Sequence, residues 1–214
     1  VAFQDDDILR SIRRYLAMTL GEDGTGDTGP WKIRLERREV KDEDRPVAVI
    51  LAGAINTVRA RTSLIQGGVE EAMPITISLY PRVMSGSIED VRNGRLEASK
   101  LKSQLNELLN TGLTITTEAD GRTINWAGPL RLPLWDYAGV PIVGDEKGGP
   151  ADPEAVMWVD SASLSVQGIQ DPEDPVRWSV IGNFRISIER PGRTASKDDV
   201  RDIDRLVGVE KPIV

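Results

Sequence analysis

This 214-residue sequence predicts an α+β two-layer domain, a mostly antiparallel mixed sheet with two helices packed on one face. Three observations predict it. Two segments repeat apolar residues at steps of three and four, several others alternate apolar with polar residues, and the order runs helix, strands, helix, strands. Residues 1–192 read as one domain, with 128–153 an extended Pro/Gly-rich arm and 193–214 a charged C-terminal tail.

The first helix is expected from about Asp7 to Leu20. Ile8, Ile12, Tyr15 and Thr19 share a stripe, with Leu9, Leu16 and Leu20 beside it, and Asp5 to Asp7 place negative charge at the positive end of the helix dipole. It must end in GEDGTGDTGP, where four glycines and a proline make a loop. Trp31 to Val40 alternates as a half-buried strand, followed by the charged turn KDEDRP. Val47 to Val58 reads as one buried strand with a bulge at Gly53, and Met73 to Val83 as its neighbour, joined by a hairpin tip or loop around Gly67 and Gly68.

The second helix is expected over Ile88 to Thr111. Val91, Gly94, Ala98, Leu101, Leu105 and Leu108 step along one side, Ser87 with Asp90 forms a shortened capping box, and Gly112 suits the terminating position. A short hairpin, Leu113 to Thr117 with Arg122 to Trp126, comes next. Gly128 to Pro153, with five prolines and five glycines, cannot be regular along its length; its embedded Trp135, Tyr137, Val140 and Ile142 favour a docked arm. Two long strands, Ala155 to Gln170 and Val176 to Glu189, meet at the rigid turn DPEDP. After Pro191 and Gly192 the charged tail holds one or two helical turns around Asp198 to Val207.

Composition narrows function. With no cysteine and no histidine, the chain lacks thiolate nucleophiles, the commonest metal ligand and the usual general base near neutral pH. What remains is carboxylate or lysine chemistry, or none; neither an enzyme nor a cofactor is expected. The net charge of −7 argues against a surface that grips nucleic acid as a whole. No run approaches a membrane span, and VAFQDDD is acidic where a signal peptide is basic, so a soluble protein made in a cytoplasm is expected.

Motifs that might carry chemistry are weak. Asp23, Thr25 and Asp27 have calcium-loop spacing, but Thr28 stands where glycine is needed and Arg34 where a bidentate glutamate belongs. Glu39-Val40-Lys41 has the Glu-x-Lys form of metal-dependent nucleases, which would also need an upstream aspartate such as Asp27. A charged strand edge that resists pairing explains the same letters. The candidates with more promise are for interfaces. Arg59 and Arg61, two apart on a strand, would point the same way, as phosphate contacts or an intersubunit carboxylate clamp require; an exposed strand end is the alternative. Trp135 and Tyr137, with Val140 and Ile142, are candidate anchors that pack across a neighbouring subunit, against the alternative of packing on their own domain.

The segments ILRSIRRYLAMTL, GGVEEAMPITISLYP, LEASKLKSQLNELLNTG, LPLWDYAGVPI and DPEDPVRWSVIGNFRISIERPG together resemble tail terminator (tail completion) proteins of long-tailed bacteriophages, the actinobacteriophage siphovirus type. The resemblance covers most of the chain, which is longer than the compact terminators, chiefly through 128–153. It implies a structural virion protein at the head–tail junction: a homo-hexameric ring on the tail tube protein that ends tube growth and offers a docking face to head-completion or neck proteins. Genomic DNA would pass through the lumen without tight binding, which the acidic balance favours. Another neck, connector or tail-tube protein is the first alternative, and a carboxylate or metal-dependent enzyme such as a nuclease the second.

Overall fold

The structure, a computed structural model, describes residues 5–20, 31–35, 39–61, 68–83, 87–111, 115–119, 122–126, 130–136, 149–150 and 156–191. Its centre is a pair of long antiparallel strands, β4 (Gly68–Tyr80) and β12 (Trp178–Pro191), in register from Val180 opposite Leu79 to Pro191 opposite Gly68. Each carries two shorter strands on its outer side. β2 (Val47–Ala52) and β3 (Asn56–Arg61) pair with β4, whereas β10 (Val156–Val159) and β11 (Ser165–Gln170) pair with β12, all antiparallel. β1 (Lys32–Arg34) lies parallel to β2, and β7 (Arg131–Pro133) antiparallel to β10, which makes the eight-stranded sheet mixed. Two small ladders stand apart from it: β5 (Ile115–Ala119) with β6 (Arg122–Trp126), and β8 (Trp135–Asp136) with β9 (Gly149–Pro150).

Both helices, α1 (Asp5–Thr19) and α2 (Ile88–Thr111), cover one face of this sheet and touch each other. The alternation of β4 and β12 decides which face. Ile75, Ile77 and Leu79 from β4 and Val180, Phe184 and Ile186 from β12 are buried, and Pro74, Asn183 and Arg185 on the opposite face are exposed. From the helices come Ile8, Ile12, Tyr15 and Leu16 on α1 and Leu101, Leu105, Leu108 and Leu109 on α2. Gly182 allows the closest approach of helix to sheet: a Cβ there would lie 2.8 Å from Leu105 Cδ2. At the start of α2, the Ser87 hydroxyl accepts from the Asp90 N–H at 3.1 Å and the Asp90 carboxylate accepts from the Ser87 N–H, also at 3.1 Å, so the capping box forms as expected.

The structure corrects three strand boundaries. Of the expected strand over Trp31 to Val40, the described residues form β1 alone: Leu35 is a bend, Glu39 and Val40 are outside any strand, and 36–38 lie outside the described residues. Val47 to Val58 is two strands instead of one with a bulge. Gly53 still donates its N–H to the Pro74 carbonyl at 2.8 Å, in register with the ladder, but Pro74 has no N–H to return, and a Cβ at Gly53 would meet Pro74 Cγ at 2.6 Å. Ala155 to Gln170 likewise divides at Asp160, whose Oδ1 accepts the Ala162 N–H at 3.0 Å and turns the chain between β10 and β11. The second helix and the hairpin's second strand agree with expectation; its first strand runs on to Ala119, opposite Arg122, so Glu118 and Ala119 belong to the ladder and not to the turn. Gly112, Leu113 and the tail after Pro191 lie outside the described residues.

Candidate functional site

Part of the Pro/Gly-rich segment docks on its own domain. β7 joins the main sheet, Leu132 and Leu134 are buried, and Trp135 is 6% exposed. The Trp135 backbone N–H donates to Ser11 Oγ at 3.0 Å and its indole N–H to the Tyr15 hydroxyl at 2.6 Å. The Tyr15 hydroxyl in turn donates to the Pro133 carbonyl, and the Arg14 guanidinium sits 4.0 Å from the centroid of the Trp135 ring. Of the two readings of Trp135, the structure shows packing on its own domain. Its donors and its ring are used within the chain, because α1 presents Ser11, Arg14 and Tyr15 along one side at helical spacing. Tyr137, Val140 and Ile142 lie outside the described residues.

Arg59 and Arg61 fall on β3, opposite Glu70 and Gly68 of β4, just after a register shift between Thr57 and Arg59. Val58, at that irregularity, is 58% exposed. β3 pairs only with β4 among the described residues, so its other edge is open. Glu39 and Lys41 are exposed on the approach to β2, and Asp27 with the rest of the calcium-like loop is outside the described residues. No group of three or more acidic side chains arranged to hold a metal ion occurs among the described residues.

One surface groove was not singled out from sequence. α2 tracks along β12 and β11, packed closely at Leu105 against Gly182 and at Gly94 against Trp178. A groove of about 760 Å³ opens between the helix and β11. Its helix wall presents Ile88, Arg92, Arg95, Ser99 and Lys102; its sheet wall is Gly168 and Gln170 of β11 with Trp178 of β12. Gly94 holds Trp178 close, since a Cβ at that position would stand 3.0 Å from the ring Cδ1.

Among the described residues no acidic side chain lines the groove, and Arg92, Arg95 and Lys102 take part in no ion pair. Charge neutralisation happens elsewhere on the helix: Glu97 feels Arg82 and Lys100, yet partial burial pushes its carboxyl above the ordinary range. Ile88 is 92% exposed at the mouth. β11 forms the rim, paired to β12 on one side and open on the other among the described residues, with Ile169 39% exposed. An open strand edge leaves backbone donors and acceptors for another chain to meet.

A second ionic cluster sits where the 3-10 turn meets the start of β12. Asp42 bridges Arg177 at 2.6 Å and Arg45 at 3.4 Å, Arg177 also reaches Asp174 at 2.9 Å, and Arg34 binds Asp44 at 2.6 Å. Three arginines face three aspartates, so the cluster is charge-balanced and serves to tie loops together. These features define an α+β protein. Neither protein-family models nor curated proteins give a match to the chain. No helix among the described residues is long and apolar enough to cross a membrane.

Proposed function

We propose that the chain is a structural subunit that caps a polymeric tube, the tail terminator role its sequence resembles. In this reading copies close into a ring, hexameric in that family, on the end of a phage tail tube, and the free side receives a head-completion or neck protein. The observation that carries it is that the two sides of the sheet present unlike open edges among the described residues. β1 and β3 lie on the β4 side and β7 and β11 on the β12 side, with different sequences and different neighbours. Head-to-tail rings use two different surfaces of each subunit, and a capping device needs one face that resembles the tube subunit and another that does not. The net charge of −7 favours a conduit from which DNA slides freely.

Electron microscopy of the purified protein tests the proposal. Single closed rings, alone or on tail tips, are expected. Unlimited tubes would instead identify a tail-tube subunit, and a phage lacking this gene that still makes tails of normal length would reject the terminator role. DNA binding with a submicromolar Kd in about 150 mM salt would overturn the idea of a non-stick lumen.

A further inference from the structure

We infer that the groove between α2 and β11 receives an extended acidic peptide segment of a different protein, which adds to the open edge of β11. Charge comes first. Arg92, Arg95 and Lys102 line one wall with no carboxylate beside them, on a chain whose net charge is −7. Cations left unpaired in a groove favour a polyanionic occupant.

Geometry selects a peptide over a nucleic acid. From Arg92 to Lys102 the helix rises about 15 Å at 1.5 Å per residue. That is the length of about five extended residues, and β11, along the opposite wall, has six. A strand laid beside β11 would hydrogen-bond to its open edge while alternate side chains turned toward the cationic wall. Ile169, 39% exposed and pointing to the opposite face from Gly168 and Gln170, offers an apolar contact for the intervening residues, and Ile88, 92% exposed, flanks the cationic row at the mouth. Nucleic acid would satisfy the charge but not the backbone edge.

The other open edges of the main sheet among the described residues are poor occupants. β3 carries Arg59 and Arg61, β1 Lys32 and Arg34, and β7 Arg131, so insertion of a second copy by any of these strands would set like charge against Arg92, Arg95 and Lys102. The groove is thereby left to a partner other than a second copy, and a ring of copies would close through edges other than that of β11.

The test is fluorescence anisotropy with the full chain and a labelled peptide of alternating valine and glutamate. Saturable binding that weakens as salt rises is expected. Arg92→Ala with Arg95→Ala and Lys102→Ala should weaken it by about tenfold or more, as summed exposed ion pairs allow. Arg92→Glu with Arg95→Glu, folded as judged by circular dichroism, should shift preference to the matching valine–lysine peptide. Unchanged affinity in the alanine variant, or equal binding of a peptide with alternate backbone amides methylated, would overturn the proposal. So would tighter binding of a single-stranded oligonucleotide of equal charge. Microscopy of the same alanine variant separates the two ideas: rings that persist while peptide binding is lost support the groove alone, and ring loss with peptide binding intact rejects it.

Discussion

The indole N–H of Trp135 donates to the hydroxyl of Tyr15 at 2.6 Å, across 120 residues of sequence and with both side chains buried. Because that hydroxyl also donates to the Pro133 carbonyl, one phenolic oxygen fastens α1 to the segment containing β7 and β8. Tyr15→Phe would leave a buried donor and a buried acceptor unmet, at a cost of about 1–3 kcal/mol. Urea denaturation of the variant should show the midpoint falling with little change in slope. Tyr15→Phe made on top of Trp135→Phe should cost markedly less than it does alone, since the donor it would orphan is already gone.

Gly182 and Leu105 fix how closely α2 lies on the sheet. A Cβ at position 182 comes within 2.8 Å of Leu105 Cδ2, the flexible end of a side chain. Gly182→Val should overpack this contact and destabilise by about 1–3 kcal/mol. Leu105→Ala, which empties a site 1% exposed, should cost about 2–5 kcal/mol. The two substitutions together should cost less than their sum, because the valine fills part of the space that the leucine vacates. Thermal unfolding of the four chains measures the difference.

Acid should weaken the loop that leads into β2. The Arg34 guanidinium and the Lys41 backbone N–H both donate to the Asp44 carboxylate, holding its pKa at about 2, below the ordinary 3.8. A depressed carboxylate pKa stabilises the fold in full above the ordinary value, and the contribution is lost as pH falls from there through about 2. Urea midpoints measured between pH 5 and pH 2 should therefore fall less steeply for Asp44→Asn than for the parent chain. Identical acid limbs in the two proteins would show that Asp44 is not among the groups responsible.

Elements specified by local chemistry were legible in the sequence. α2 announces both its apolar stripe and its Ser87–Asp90 cap, and the Phe184, Ile186, Ile188 alternation of β12 correctly names the face toward the helices. Strand breaks were less legible. VAVILAGAINTV keeps strand-forming residues on both sides of Gly53, and β2 ends where it comes opposite Pro74, a distant residue with no N–H to continue the ladder. Trp135 reads as a possible anchor until α1 is placed beside it with Ser11, Arg14 and Tyr15. The groove has no signature of its own. Arg92, Arg95 and Lys102 look like a solvated helix face until β11, more than sixty residues later, becomes the opposite wall.

The long central pair has a mechanical consequence. β3 and β11 reach the rest of the domain through β4 and β12, which are themselves zipped over twelve register pairs. A pull along the strands applied at either open edge would load those pairs side by side, in shear, instead of opening them one after another. Such a sheet behaves as a tie-bar between the β3 edge and the β11 edge, able to transmit tension from whatever grips one to whatever grips the other.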